Sequence, residues 1–264
     1  MKKWSVMIAA IVLIISLMGC ASNGTGGSGK KVLVASDATY SPMEYMDKDK
    51  MTGFDIEFLA EVMKEAGISY EVKNVGWDAM LESVKQGTEY KAGISSITIT
   101  DERKQSYDFS IPYFESINMI LVKADSPVKS ADDLKGKKVA VQGGTTADEL
   151  MTKVMGTGNT SLKKFDSNAV ALLEMEKGGV EAVVADIAVV REYVKNHPDK
   201  KLKSVPDTKN FVPEYYGIAF PKGSDLKAKI DPAIKKLMDN GSYAKLFKKW
   251  FNEDPNIANI QKAS

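Results

Sequence analysis

The sequence predicts an α/β fold, because segments with strand patterns and segments with helix patterns alternate along most of the chain. Two such series occur, separated by the break "ILVKADSPVKSADDLKGKK", which contains Ser126-Pro127 and a run of charges. We find no internal repeat of solenoid period, and low complexity only in one Gly/Ser-rich segment near the N-terminus. The pattern therefore indicates two α/β units with mainly parallel sheets.

The first unit starts with a strand and contains two helices. The β-rich run "KKVLVAS" leads to Asp37, and "GFDIEFLAEVMKEAG" spaces its apolar side chains from Ile56 to Met63 as a helix that stops at Gly67. The run "ISYEVKNV" predicts a strand, "WDAMLESVKQG" a helix that ends at Gly87, and "KAGISSITI" another strand.

The second unit repeats this order. Its strands are predicted at "KKVAVQGG", around "LKKFDS" and at "VEAVVAD", with helices at "TADELMTKVMG" and "NAVALLEMEKGG". After Pro206, the run "YYGIAFPKG" predicts a strand, and the helices "LKAKIDPAIKKLMDNG" and "SYAKLFKKWF" close the chain.

Polar residues follow four of these predicted strands, two in each unit. They are Asp37, Ser95 to Thr98, Gln142 to Thr146, and Asp186. Ligand sites in open α/β sheets gather at the carboxyl ends of the strands. These four strand ends are therefore the predicted site.

Composition and motifs exclude several classes of function. The chain of 264 residues has a net charge of +1 and no basic patch, so we do not expect nucleic-acid binding. Serine-hydrolase, zinc-protease, phosphate-loop and nicotinamide signatures do not occur. Since His197 and Cys20 are the only residues of their types, we expect neither a metal nor a cofactor.

The N-terminus has the pattern of an export signal. Lys2 and Lys3 precede "MIAAIVLIISLM", an uncharged run too short for a comfortable membrane span. The following "LMGC" resembles a bacterial lipobox, which implies a signal peptide over residues 1–19 and lipidation of Cys20. Residues 20–30 are then the lipidated cysteine and a flexible tether, anchored at a membrane outside the cytoplasm. The alternative is an ordinary signal peptide with an incidental cysteine.

The remaining polar groups suit a zwitterionic ligand. In "GISSITITDERKQSYDFS", hydroxyl groups lead to Arg103, and an arginine fork with N–H and hydroxyl donors binds a carboxylate well. An ammonium group needs an acidic partner and a carbonyl, and aromatic rings provide walls for a side chain.

From Lys31 to about Glu253 the sequence resembles the amino-acid-binding lipoproteins of ABC importers, the family 3 solute-binding proteins. The resemblance rests on motifs in one order: "SDATYSPMEY", "MTGFDIEFLAEVMKEAG", "GWDAML", "SITITDERKQSYDFSIPYF", "DLKGKKVAVQGGTT", "YYGIAFPKGS" and "NGSYAKLFKKWF". Within the family it is most similar to binders of arginine, lysine, ornithine and histidine.

The resemblance implies a two-lobed periplasmic-binding-protein fold of type II, in which two α/β lobes are joined by two crossover strands. Lobe 1 is expected over residues 31–121 plus 217–264, and lobe 2 over residues 122–216. The lobes of such proteins close over a ligand by hinge motion. The implied partners are a free L-amino acid and an ABC permease, and we expect a monomer.

The resemblance also implies a role for each candidate residue. Arg103 clamps the ligand α-carboxylate, and the N–H and hydroxyl groups of Thr98 and Ser96, with Thr146 from the second lobe, donate to it. Asp186 and the Ser96 carbonyl receive the α-ammonium group.

The ligand side chain has its own set of residues. Tyr40 and Trp77 form aromatic walls, while Asp37 and Ser95 reach the far end of the side chain. Gln142 stands where glutamine binders carry a lysine, and Ser96 where they carry a glycine. These differences, with the charge of Asp37, favour a cationic ligand, arginine first, over the alternative of glutamine or another polar amino acid.

Other interpretations remain open from the sequence alone. Arg103 could lie on a helix surface and Thr98 in an ordinary strand. Tyr40 and Trp77 could be core aromatics, and Asp186 a helix N-cap. An enzyme on the same scaffold would need an acid or base, for which Glu44 is the nearest candidate. A sensor or adhesin that uses the same closure is a third possibility.

Two departures from the family pattern concern the pocket wall. Lys91 stands where an aspartate is usual, after an apparent one-residue insertion, and Met43 stands where a phenylalanine is usual. Both affect the expected specificity more than the expected fold.

Overall fold

The structure, a computed structural model, describes residues 31–263. The predicted signal peptide, Cys20 and tether lie outside the described residues. The strands in chain order are β1 Val32–Ser36, β2 Thr39–Tyr40, β3 Glu44–Asp47, β4 Lys50–Thr52, β5 Tyr70–Asn74, β6 Ala92–Gly93, β7 Tyr107–Phe109, β8 Phe114–Ser116, β9 Asn118–Lys123, β10 Val139–Gln142, β11 Leu162–Phe165, β12 Ala182–Asp186, β13 Leu202–Val205, β14 Glu214–Tyr216 and β15 Ala219–Pro221.

Nine α-helices alternate with groups of strands within residues 31–263. They are α1 Phe54–Glu65, α2 Trp77–Gln86, α3 Asp101–Ser106, α4 Thr146–Met155, α5 Asn168–Glu176, α6 Ile187–Asn196, α7 Leu226–Asp239, α8 Ser242–Phe251 and α9 Ile257–Lys262. Short 3-10 helices cover Ala131–Leu134 and Pro198–Lys200. None of the helices within residues 31–263 has the length and apolar character needed to cross a membrane.

Two five-stranded sheets form the frame of the fold, in the orders β5-β1-β6-β15-β7 and β11-β10-β12-β9-β13. In the first sheet β1 pairs in parallel with β5 and β6, and in the second β10 pairs in parallel with β11 and β12. The expected α/β fold with two lobes is confirmed.

Each sheet contains one strand that runs against the others. These strands are β15 and β9, which are antiparallel to both of their neighbours. Each follows a crossover, so the chain enters its lobe from the cleft and runs away from it. The parallel strands run towards the cleft and bring their carboxyl ends to it.

The two crossover strands, β8 and β14, pair with each other in an antiparallel two-stranded sheet. The expected first boundary, between residues 121 and 122, falls inside β9, and β9 pairs with the second sheet from Asn118 onwards. The sequence shows no turn or break before β9, so the point where the chain enters the second lobe was not visible in it. We therefore propose that the lobes divide at β8 and β14.

The C-terminal helices α7 and α8 return to lobe 1 and pack on α1. An aromatic cluster fills the space between them. Phe58 stacks on Tyr113 with 4.7 Å between ring centroids, and Tyr113 in turn lies 6.3 Å from Tyr216 of β14. This packing holds the crossover strands against a rigid lobe.

Candidate functional site

All ten residues predicted to bind the ligand line one cavity between the lobes. They are Asp37, Tyr40, Trp77, Ser95, Ser96, Thr98 and Arg103 from the first lobe, and Gln142, Thr146 and Asp186 from the second. The cavity is also lined by Glu44, Thr145, Ala147, Asn168 and Ala185. Because these residues follow the carboxyl ends of strands from two facing sheets, the cleft brings them together.

The segment after β6 differs from the expected strand. Only Ala92–Gly93 pair as a strand, and Thr98 makes an isolated bridge with Tyr216. Ser96 has a φ angle of 50°, in the left-handed region, which ends the strand and turns the chain at the cavity wall. Thr98 is therefore not an ordinary strand residue.

Arg103 lies in α3, whose N-cap Thr100 accepts a hydrogen bond from the Arg103 main-chain N–H at 3.1 Å. Its Nη1 donates to the Thr98 carbonyl and its Nη2 to the Gly144 carbonyl of lobe 2, both at 3.1 Å. Burial lowers the Arg103 pKa, and nearby carboxylates oppose this shift. A guanidinium has five N–H donors, so donors remain for a carboxylate in the cavity.

The hydroxyl groups of Thr98 and Thr146 donate to one acceptor, Oε2 of Glu214, each at 2.8 Å. Asn118 Nδ2 donates to the other oxygen of Glu214 at 2.7 Å. Since each hydroxyl has one proton, these two hydroxyls do not also donate to a ligand. In this structure both hydroxyl protons are used by Glu214, and we predict the main-chain N–H groups of Thr98 and Thr146 as the donors to a ligand carboxylate.

Thr146 is well placed for main-chain donation because it is the first residue of α4. The first N–H groups of a helix have no acceptor within the helix. The N-cap Thr145 accepts from Asp148 N at 3.3 Å and leaves the N–H of Thr146 to the cavity.

Glu214 is a carboxylate in a crossover strand that touches both lobes. Burial and the charge of Asp186 raise the pKa of Glu214 to about 7, while the threonine hydroxyls and Arg103 act in the opposite direction. Sequence reasoning missed it, because it is distant in the chain from both threonines and its strand has three residues.

Asp186 receives two tyrosine hydroxyls on Oδ2, from Tyr40 at 2.5 Å and from Tyr216 at 2.6 Å. Tyr40 belongs to lobe 1, so its bond crosses the cleft. Burial raises the Asp186 pKa, and the two tyrosines and Arg103 counteract it. Asp186 occupies the N-cap position of α6, yet its side chain makes no cap hydrogen bond.

The two aromatic residues have a double role. Tyr40 and Trp77 are each less than a tenth exposed and pack in hydrophobic clusters, as expected for core aromatics. Each also donates a hydrogen bond across the cleft, Tyr40 to Asp186 and Trp77 Nε1 to the Gly144 carbonyl at 3.2 Å. Their role as walls for a ligand side chain stays a prediction.

The far end of the cavity is built around Asp37. Its Oδ1 accepts from the Thr39 hydroxyl at 3.0 Å and its Oδ2 from Gln142 Nε2 at 2.9 Å. Burial raises the Asp37 pKa, and these two hydrogen bonds lower it. The bond between Asp37 and Gln142 also joins the two lobes.

Two buried carboxyl groups lie beneath the serines. The Ser95 hydroxyl donates to Glu44 at 2.6 Å, and Asp55 accepts from Ser96 N–H at 2.7 Å and from the Tyr113 hydroxyl at 2.8 Å. Burial raises the Asp55 pKa to about 7, and burial with the Asp55 charge raises the pKa of Glu44 well above its usual range. The charge of Asp55 therefore favours the protonated form of Glu44.

The departures from the family pattern lie outside the cavity. Lys91 is exposed, and its amine donates to the carbonyls of Gly87 and Thr88. Met43 is fully buried in the core. Across residues 31–263, no group of three or more His, Cys, Asp or Glu residues is arranged to hold a metal ion.

Comparison with known proteins assigns the chain to a family. Residues 32–253 match the family described as "Bacterial extracellular solute-binding proteins, family 3". The chain belongs to this family. The resemblance seen in the sequence motifs is thereby confirmed.

Relatives of this family 3 protein match it over nearly their whole length. The probable histidine-binding protein of Neisseria gonorrhoeae is 36% identical over an alignment of 265 positions, which covers 96% of this chain and 97% of the relative. The arginine-binding extracellular protein ArtP of Bacillus subtilis is 35% identical over 257 residues, 95% of this chain and 98% of ArtP.

A solved structure has the same fold. It is that of ArtJ, the arginine-, lysine-, histidine-binding protein of Geobacillus stearothermophilus, with a TM-score of 0.86 and 52% identity. The match covers 88% of this family 3 protein and 100% of that chain.

Proposed function

We propose that this family 3 protein is the extracytoplasmic binding subunit of an ABC importer. It captures a cationic L-amino acid, with arginine favoured over lysine, ornithine and histidine, by hinge closure, and delivers it to a membrane permease. The observation that supports this most is that all ten predicted residues line one cavity between the lobes.

The polar groups of the cavity suit the two charges of an amino acid. The free donors of Arg103 and the N–H groups of Thr98 and Thr146 bind the α-carboxylate. The Ser96 N–H, expected to join them, already donates to Asp55 at 2.7 Å. Asp186, held by its two tyrosines, pairs with the α-ammonium group, together with the Ser96 carbonyl.

The side chain of the ligand lies between Tyr40 and Trp77 and ends near Asp37. Aromatic faces attract a guanidinium or ammonium group by about 0.5–2 kcal/mol. Among the described residues that line the cavity, Arg103 is the only one with a basic side chain, and it lies near the carboxylate donors. No other basic side chain that lines the cavity therefore competes with a cationic ligand end group for the Asp37 carboxylate. The names of the relatives from N. gonorrhoeae, B. subtilis and G. stearothermophilus agree with this class of ligand.

The protein has no proposed chemistry of its own. Glu44, the one candidate acid or base, accepts a hydrogen bond from Ser95 and lies beside Asp55. We therefore assign it a structural role in the wall of the cavity. Outside the described residues, we propose that residues 1–19 are a signal peptide, that Cys20 is lipidated, and that residues 20–30 tether a monomeric protein to the membrane.

A thermal-shift screen over all amino acids, with ornithine and citrulline added, tests the proposal. A ligand at a hundred times its dissociation constant stabilises a protein by roughly 2.7 kcal/mol. We expect the largest shift for arginine. A flat response to every compound contradicts amino-acid binding, and a larger shift for glutamine than for arginine contradicts the cationic specificity alone.

A further inference from the structure

A chain of side-chain amides crosses the far end of the cavity. Asp37 Oδ2 accepts from Gln142 Nε2 at 2.9 Å, and Gln142 Oε1 accepts from Asn168 Nδ2 at 2.8 Å. The three side chains are almost fully buried, and all three line the cavity. Asn168 is the first residue of α5 and was not among the residues predicted from the sequence.

The direction of every hydrogen bond in this chain is fixed. The Gln142 amide nitrogen lies within hydrogen-bond distance of the Asp37 carboxylate and, at 3.1 Å, of the Asp166 main-chain carbonyl. A main-chain carbonyl only accepts, so this end of Gln142 is its NH₂ group whatever the protonation of Asp37. The other end is then an oxygen, which requires a donor from Asn168.

Asn168 is consequently left with its oxygen turned away from Gln142. This Oδ1 atom is buried and has no donor among the described residues. A buried acceptor without a partner is costly to the folded state, and a donor that enters the cavity removes that cost. Since Asn168 lines the cavity and bonds to Gln142, this oxygen is the acceptor that Asn168 has available there.

We propose that Asn168 determines specificity at the far end of the cavity: Asn168 Oδ1 and the Asp37 carboxylate form an acceptor-only surface that selects an end group with donors only. This inference rests on the proposed function and deepens it. A guanidinium has five N–H donors and no acceptor, and an ammonium has three donors. The carbonyl of a glutamine or citrulline end group would face these acceptors, and the discrimination follows from that mismatch.

Citrulline is the sharpest probe, because it has the length of arginine and replaces one end nitrogen by a carbonyl oxygen. The experiment measures the dissociation constants of arginine and citrulline by calorimetry on the purified full chain, for the wild type and for Asn168→Leu. Asn196→Leu is the matched control, since Asn196 bonds only to Glu192 on the exposed surface of α6.

The wild type is expected to prefer arginine over citrulline. In Asn168→Leu, arginine affinity falls about tenfold or more, as for a lost hydrogen bond to a charged group. Citrulline affinity falls less, because its carbonyl no longer faces Oδ1, so the preference for arginine shrinks. Asn196→Leu changes neither constant.

An unchanged preference in Asn168→Leu overturns the inference, whether both ligands keep their affinity or both lose it equally. Thermal unfolding checks that the variant folds, and Asn168→Ala replaces it under the same criteria if leucine is not accommodated. If the wild type binds arginine and the variant keeps its preference, only this inference fails. If the wild type binds no amino acid, the proposed function fails and the inference with it.

Discussion

Arg103 divides its guanidinium between the two lobes. One nitrogen donates to Thr98 in its own lobe and another to Gly144 across the cleft. These neutral acceptors fix the orientation of the fork without using its charge. The positive charge stays available for a ligand carboxylate. For this reason we propose that Arg103 binds the α-carboxylate of the ligand.

Arg103→Ala tests this position directly. Loss of a charge-assisted pair of hydrogen bonds is expected to weaken arginine binding by about a hundredfold or more. Calorimetric titration measures the change, and Lys248→Ala is the control, because Lys248 is exposed and pairs with Asp254 within lobe 1 at 3.2 Å. Equal affinity of Arg103→Ala and the wild type for arginine would exclude the clamp.

For single residues, the sequence predicted which side chains line one cavity, but it did not predict the hydrogen-bond partner of each polar atom. The ten residues line one cavity, as their positions after strands implied. The hydroxyls of Thr98 and Thr146 are bonded to Glu214, and those of Ser95 and Ser96 lie near Glu44. These carboxylates are far from the hydroxyls in the chain, so spacing within a motif contains no information on them.

Among the elements, the turn between β10 and α4 brings lobe 2 into contact with lobe 1. Gly144 in this turn has a φ angle of 68°, and its carbonyl accepts from both Trp77 and Arg103. A Cβ atom at Gly144 would lie 3.4 Å from Trp77 Nε1. The turn is therefore sensitive to substitution on two grounds, its backbone conformation and its contact.

Gly144→Ala is expected to lower both the stability and the ligand affinity. A left-handed conformation costs a residue with a Cβ about 1–2 kcal/mol, and a turn that shifts to relieve this strain moves the Gly144 carbonyl away from Trp77 and Arg103. Gly136→Ala is the matched control, because Gly136 has a φ angle of 82° and nothing within 4 Å of the added atom. The temperature of thermal unfolding should fall in both variants, and calorimetry should show weaker ligand binding only in Gly144→Ala. Equal affinity of the two variants would show that the turn has no part in closure.

The long periodic elements were predictable and the short ones were not. Helices such as α1 and α2 have a clear apolar face, and β1, β10 and β12 end where the pattern placed them. The strands β2, β3 and β4, of two to four residues, are too short to show a period. The predicted strand "YYGIAFPKG" contains the end of β14 and all of β15, which belong to two different sheets.

For the whole molecule, the cleft concentrates buried carboxyl groups whose pKa values are raised. Asp55 and Glu214 reach about 7, and Asp37, Glu44 and Asp186 shift in the same direction, chiefly through burial. A carboxyl group with a raised pKa in the folded state binds its proton more tightly there than in the unfolded chain. Folding stability is then present at low pH and is lost as the pH rises through the folded-state value.

We therefore expect the ligand-free protein to unfold at a lower temperature at pH 8 than at pH 5.5. Glu214 alone contributes about 2 kcal/mol over this range, from the interval between pH 5.5 and its folded-state pKa. Thermal unfolding as a function of pH measures the slope, and Glu214→Gln, which does not titrate, should flatten it. A stability that rises towards pH 8 would contradict the direction of these shifts.

The hydrogen bond from Trp77 to Gly144 gives the protein an internal optical signal. This indole N–H has its acceptor in the opposite lobe, so separation of the lobes exposes it to water. Trp250, in contrast, donates to Glu57 within lobe 1 at 3.2 Å, so its hydrogen bond does not cross the cleft. Within residues 31–263, a change of tryptophan emission on adding a ligand thus reports the state of the cleft itself, without any attached dye.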